Sequence, residues 1–322
     1  MVNTYIKGLK CMAVSLKGRH FLKLQDFTKE ELIQILDAAD FIKMRTKLGI
    51  REEILQGKTL AMIFEKSSTR TRVSFEVGMA QLGGNALHLS ARDIQIGRGE
   101  TIPDTTRTLA RYVDGIMIRT FGQEIVEEMA RFSTVPVINA LTDEHHPCQV
   151  MADLQTLREK FHRLEGLKIA YVGDAANVAN SLLEGCSILG IDISLACPKG
   201  YQPTPEMTEQ AYKNAAKSGA KVVITEDIEE AVKDADALYT DIWVSMGKEE
   251  ESQKRFQDLK NYQINSEVLK MAKKDAIVMH CLPAHRGEEI TDEVIEGPQS
   301  VVFDEAENRL HAQKAIMALL MG

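Results

Sequence analysis

Short β-branched and aliphatic runs alternate with helically spaced stretches along most of the chain, and this alternation limits the fold more than any other feature. Runs at 59–64, 115–118 and 135–139 are separated by helical patterns at about 70–82, 103–113 and 123–132. Such alternation predicts repeated βα units around a parallel sheet. A second series opens with the run at 167–173 and continues at 191–196, 221–225, 236–240 and 276–280. Between them lies an amphipathic stretch, Val150 to His162, preceded by Pro147, which puts a boundary near residue 147. Ahead of the first series, Thr28 to Glu31 has capping-box spacing, and Leu32, Ile35, Leu36, Ala39 and Ile42 follow on one face, so a helix begins there.

The expected fold is therefore α/β, with two open parallel-sheet domains and an active-site cleft between them at the carboxyl ends of the strands. A length of 322 residues fits two domains, each large enough for its own core. We expect them to cover 1–147 and 148–303, with a helix over 304–322 returning to the first.

The net charge of −8 argues against capture of nucleic acid, which needs Lys and Arg to neutralise phosphates, so any functional cations must be locally concentrated. The longest apolar run, Ala315 to Met321, is far below the roughly 20 residues of a membrane-spanning helix. The amino terminus lacks the apolar core of a secretory signal, and Met12 is available as an alternative start. Cys11, Cys148, Cys186, Cys197 and Cys281 lack C-x-x-C spacing and read as free thiols of a cytoplasmic protein. The charged segment Lys248 to Lys254 reads as a mobile, solvated loop.

The most informative chemistry lies in Glu65-Lys66-Ser67-Ser68-Thr69-Arg70-Thr71-Arg72, where an apolar run meets the start of a helix continuing through Val73, Val77 and Ala80. Free N–H groups and the positive end of the helix dipole can bind phosphate there. Ser68, Thr69 and Thr71 add hydroxyls, and Arg70 can pair with phosphate in a bidentate manner. Equally, Ser67 and Ser68 can be plain N-caps with solvated arginines beside them. Arg119 ends its apolar run, the position of a cleft residue, although a surface ion pair would look the same. His146-Pro147-Cys148-Gln149 offers an imidazole and an amide at the domain junction without metal-ligand spacing. Gly173-Asp174-Ala175-Ala176-Asn177 lacks the glycines of a dinucleotide loop, leaving Asn177 to bond a small polar substrate. Asp241 can pair with a substrate ammonium, and Ser245-Met246-Gly247 looks like a closing loop. His280 and Cys281 are sequence neighbours, and adjacent strand residues point to opposite faces, so a Cys/His nucleophile is disfavoured.

Taken in order, Ser68-Thr69-Arg70-Thr71, His146-Pro147-Cys148-Gln149, Asp241 with Ser245-Met246-Gly247, and His280-Cys281-Leu282-Pro283 resemble the ornithine carbamoyltransferases. The resemblance runs from Leu16 to Glu305-Ala306-Glu307-Asn308-Arg309. It implies carbamoyl transfer from carbamoyl phosphate to the δ-amine of L-ornithine, without metal or organic cofactor. By the same resemblance, Ser68 to Thr71 and Arg119 hold phosphate, while Arg119, His146, Cys281 and Leu282 contact the carbamoyl group. The His146 to Gln149 motif and Arg309 complete that subsite. Gln95 matches a residue that reaches into a neighbouring subunit's site, implying a homotrimer or a multiple of trimers. Asn177, Asp241, Ser245 and Met246 match ornithine-binding positions, with Asp241 and Cys281 at the amine. The intact Ser245-Met246-Gly247 favours ornithine over putrescine, and aspartate carbamoyltransferases ordinarily lack it together with His-Cys-Leu-Pro. A nicotinamide-dependent oxidoreductase and a silent phosphate-binding regulator are the readings from other classes.

Overall fold

The computed structural model describes residues 14–244 and 251–322. Among them, helix α1 (Lys29–Lys47) leads into β1 (Thr59–Phe64), α2 (Thr69–Gln81), β2 (Asn85–Ser90), α3 (Ile102–Leu109), β3 (Gly115–Arg119), α4 (Gln123–Phe132) and β4 (Val137–Leu141). Helix α5 (Pro147–Phe161) then leads to β5 (Lys168–Val172), α6 (Asn177–Leu189), β6 (Asp192–Ala196), α7 (Pro205–Ser218), β7 (Val222–Thr225), α8 (Ile228–Val232) and β8 (Ala237–Thr240). The chain closes with α9 (Ser252–Leu259), α10 (Ser266–Met271), β9 (Ile277–His280), α11 (Asp292–Ile295) and α12 (Val302–Met321).

The strands form two parallel sheets, in the orders β2-β1-β3-β4 and β7-β6-β5-β8-β9. Strands β3 and β4 are buried at every residue, as parallel strands covered on both faces must be, which explains their unbroken apolar sequence. In the first sheet the chain leaves β1 for β2 on one side and returns to β3 on the other. In the second it leaves β5 for β6 and returns to β8. Crevices open at such reversals, outside the carboxyl ends of the strands.

Helix α1 starts with the expected capping box: Thr28 accepts from the Glu31 N–H, and Glu31 accepts from the Thr28 N–H. Helix α12 packs against α1, α2 and α5. Its approach to α2 is close, since a Cβ on Gly78 would lie 2.9 Å from Met317 Cε.

Several boundaries differ from expectation for identifiable reasons. Helix α5 begins at Pro147 rather than Val150, because proline suits the first helical position, where no N–H is needed. Strand β4 begins two residues later than expected, after Pro136, which cannot donate to the ladder. Helix α3 stops at Leu109, and the chain turns so that Asp114 can accept from the Thr59 N–H at 2.9 Å. Strand β2 was not anticipated. Val73, Val77 and Ala80 lie on the exposed side of α2, whose buried side carries Phe75, Gly78 and Met79. The expected loop over 248–254 ends in helix from Ser252, while 248–250 lie outside the described residues, as do Cys11 and Met12. Cys148, Cys186, Cys197 and Cys281 are free thiols. No helix among the described residues is long and apolar enough to cross a membrane.

Candidate active site

Strands β1 and β3 are neighbours in register, Phe64 opposite Arg119, and the Glu65 N–H donates to the Arg119 carbonyl at 2.9 Å. The Lys66-to-Thr71 turn and the Arg119 side chain therefore leave the sheet together. Arg309 arrives from α12, His146 from the turn before α5, Asn177 from the start of α6, Asp241 from the end of β8, and Cys281 from the end of β9. All line one cavity of about 340 Å³, the size of a small-molecule site.

The N-cap expected at Ser68 is present, and the same turn lines the cavity. Ser68 accepts from the Thr71 N–H at 3.2 Å. Arg70, Arg119 and Arg309 form a concentrated cationic wall in an acidic chain. Burial lowers the pKa of all three, and for Arg119 the neighbouring Arg309 and Arg70 charges add to burial and bring it to about 10. All three remain charged at neutral pH. Arg119 Nε is buried without a hydrogen-bond partner among the described residues, a donor suited to an anion. His146 is held well below 6.5 by burial and by the Arg309, Arg119 and Arg70 charges. It is thus a neutral imidazole, able to donate one N–H but not to act as an acid from its cationic form.

At the ends of β8 and β9, the Cys281 thiol donates to Asp241 Oδ1 at 2.9 Å, and the Ile242 N–H donates to the same oxygen at 2.7 Å. Burial and the Asp241 charge push the Cys281 thiol well above 9, so it stays protonated. Asp241, His280 and Cys281 bring possible metal-ligand atoms within 4.8 Å of one another. The His280 ring is already engaged, with Nδ1 accepting from the Leu282 N–H at 2.9 Å and Nε2 at 3.1 Å from Glu289 Oε1. Its work is to hold the turn at Leu282, whose φ of 55° is rare for leucine.

The protonated thiol carries a direct consequence. Iodoacetamide is expected to alkylate Cys281 slowly at pH 8, at a rate that climbs with pH through 9 without levelling, because only thiolate reacts. Peptide mapping over a pH series reads this; a rate already saturated below pH 8 would show a thiolate and reopen covalent catalysis.

Of the other residues singled out in the sequence, Thr69, Thr71 and Leu282 line the cavity. Asn177 lines it too, but its side-chain amide donates to the Thr142 carbonyl at 2.7 Å. Pro147, Cys148 and Gln149 do not, because they form the buried first turn of α5. Cys148 Sγ donates to the Asn139 carbonyl at 3.3 Å, and Gln149 Oε1 accepts from Arg309 Nη1 at 2.5 Å. Gln149 thus supports Arg309 from behind. Gln95 is exposed in the 3-10 turn Gln95–Arg98 and lies outside this cavity. Ser245, Met246 and Gly247 lie outside the described residues.

Lys66 and Asp143 were missed. They form an ion pair on the cavity wall, with the Lys66 ammonium 4.2 Å from the centre of the Phe121 ring. Lys66 stands inside the singled-out motif, but nothing in the local pattern separates it from a solvated lysine.

Residues 19–159 match the carbamoyl-P binding domain of aspartate/ornithine carbamoyltransferase, and residues 165–320 match its Asp/Orn binding domain. The ornithine carbamoyltransferase of Thermococcus kodakarensis is 57% identical over 311 residues, covering 97% of this chain and 99% of that protein. That of Oceanobacillus iheyensis is 56% identical, covering 95% of each. The solved ornithine carbamoyltransferase of Pyrococcus furiosus superposes with a TM-score of 0.94 at 54% identity, covering 96% of this chain and 99% of that one. Matched through both halves and along nearly its full length, the chain belongs to the ornithine carbamoyltransferases of the aspartate/ornithine carbamoyltransferase family.

Proposed function

We infer that the chain transfers the carbamoyl group of carbamoyl phosphate to the δ-amine of L-ornithine, giving L-citrulline and phosphate. One observation carries this reading: three guanidinium groups, a helix N-terminus and a neutral imidazole share a small cavity with the Asp241 carboxylate. Anion-binding groups together with an ammonium-binding group suit an acyl phosphate and a diamino acid.

The phosphate sits against Arg70, Arg119 and the Ser68-to-Thr71 turn. Arg119, Arg309 and the His146 N–H face the carbamoyl oxygen, where negative charge builds as the amine adds. The new N–C bond forms, the C–O bond to phosphate breaks, and the proton shed by nitrogen ends on phosphate. An alkyl amine has a pKa of about 10.4, so it arrives mostly as ammonium and must lose a proton before attack. Among the described residues both bonds to Asp241 fall on Oδ1, leaving Oδ2 to receive that ammonium. Because phosphate leaves readily, positioning and electrostatic stabilisation supply most of the acceleration.

Asn177 and the Ser245-Met246 segment form the ornithine head-group side. A homotrimer completes the site, with Gln95 of one subunit reaching a neighbour's cavity. Its exposure, and the exposed apolar side of α2, support that arrangement. The two-domain division near residue 147 follows the two sheets, and the free thiols support a reducing compartment such as the cytoplasm.

The test offers ornithine and putrescine separately to purified protein with carbamoyl phosphate, alongside a solution mass measurement. Ornithine should yield citrulline, with putrescine at least about a hundredfold poorer in kcat/KM because it leaves head-group contacts unpaired. The mass should be three chains or a multiple. Faster carbamoylation of putrescine, or no carbamoyl transfer, contradicts the reading.

A further inference from the structure

Behind the cavity, and not lining it, two fully buried carboxyl groups meet in hydrogen-bond contact: Asp153 of α5 and Glu305 of α12. On one side Gln149 Nε2 donates to Asp153 Oδ1 at 2.8 Å and to Glu305 Oε1 at 3.0 Å, while its carbonyl holds Arg309. On the other side Glu305 Oε1 accepts from the Tyr239 hydroxyl at 3.0 Å, and Oε2 accepts from the His280 N–H at 3.0 Å. Tyr239 stands two residues before Asp241, and His280 directly precedes Cys281. A single carboxyl pair therefore touches the support of the phosphate-side arginine and the strands that end at the amine side.

We infer that Asp153 and Glu305 are positioning residues that lock Arg309 and the ends of β8 and β9 to one another, so that the two substrates meet at one set distance. The inference rests on the assignment of the cavity to carbamoyl phosphate and ornithine. Two adjacent carboxylates in a dry interior cannot both ionise. Burial raises Asp153 to about 7, and burial with the Asp153 charge raises Glu305 well above its ordinary range, so the pair keeps at least one proton at neutral pH. Among the described residues Asp153 Oδ2 has no other partner, which leaves the shared proton as the bond between the acids. Such an O–H···O⁻ bond is short and strong, and the negative charge the pair carries above about pH 7 is offset by the Arg309 charge. Reactant geometry matters steeply: a 1 Å misplacement can cost about a hundredfold.

Four variants test this in steady-state kinetics with both substrates varied: Glu305→Ala, Asp153→Asn, Gln149→Ala and Tyr239→Phe. Glu305→Ala is expected to lower kcat by up to about a hundredfold, because the set distance is lost, and to raise KM for both substrates by about tenfold, since it frees both sides. Gln149→Ala should raise KM mainly for carbamoyl phosphate and Tyr239→Phe mainly for ornithine. Asp153→Asn keeps the carbonyl that accepts from Gln149, supplies an amide N–H in place of the shared proton and leaves the negative charge on Glu305, so both KM values should stay within about threefold of the parent. A merely structural role would lower the active fraction, and with it apparent kcat, without moving either KM. Folded Glu305→Ala protein with both KM values unchanged overturns the inference, as does Asp153→Asn protein as impaired as the alanine variant. If Glu305→Ala does not fold, the other single variants decide, and Gln149→Ala or Tyr239→Phe acting equally on both substrates, or on neither, overturns it. The parent's citrulline formation separates the two claims. Its absence would overturn the substrate assignment and this inference together, whereas its presence with any of the contrary variant results overturns the positioning role alone.

Discussion

Replacing Arg70 with alanine is expected to lower kcat/KM for carbamoyl phosphate by about 10²–10³-fold while leaving the fold intact, the usual cost of removing one strong donor to a charged reacting group. Arg70 stands in the first turn of α2 on the cavity wall. Its backbone carbonyl accepts from Ser74 Oγ at 2.6 Å, a bond that any residue at position 70 can keep. Helix α2 should therefore survive the substitution, and circular dichroism with a thermal melt checks this. Lysine at the same place should recover only part of the loss, because an ammonium restores charge without the paired donors of a guanidinium. Unchanged kinetics for Arg70→Ala would remove the phosphate site from this turn.

The second large effect runs in opposite directions for activity and stability. Arg119→Met is expected to lower turnover by at least about a hundredfold. In the empty enzyme it should also raise stability by about 1–3 kcal/mol. Arg119 is buried beside two other guanidinium groups, which with burial bring its pKa from 12.5 to about 10. At about 1.4 kcal/mol per pH unit, that depression marks roughly 3 kcal/mol of unfavourable environment for the charged form. Methionine fills similar space without the charge. The sign reverses with ligand, because phosphate stabilises the parent by binding only the folded state, and the variant should lose that gain. Melting curves with and without inorganic phosphate read both effects. A variant less stable than the parent without phosphate, yet equally stabilised by it, would contradict the account of Arg119.

Much of the architecture was legible because parallel sheets buried on both faces impose continuous apolar runs, and β1 and β3 announce themselves in this way. Strand β2 did not, since it lies at the sheet edge with no residue fully buried, and Asn85 to Ser90 has no buried run to reveal it. Helix α2 was found but its inner face was not: Thr71, Ser74, Phe75, Gly78 and Met79 are the buried residues, and at Gly78 the approach of α12 leaves no room for a side chain. In the site, Arg70 was readable at the start of a helix and Arg119 at the end of a strand. Arg309 was not readable by that logic, because it sits mid-helix far along the chain and only tertiary packing brings it to the cavity; family resemblance supplied it. Gln149 was singled out for the carbamoyl phosphate subsite, and it stands behind the cavity wall rather than on it. That it faces Arg309 depends on the helical phase of α5, which starts at Pro147 rather than three residues later. The Asp153–Glu305 contact joins residues on two helices and leaves no local trace in sequence.

A crystal structure of the protein with carbamoyl phosphate and an ornithine analogue lacking the δ-amine tests the central claim most directly. The phosphate should lie within hydrogen-bond distance of Arg70, Arg119 and the Thr69-to-Thr71 turn, with the carbamoyl carbon facing the analogue's truncated side-chain end. Phosphate bound outside this cavity, or an analogue held with its side chain away from the carbamoyl group, would contradict it.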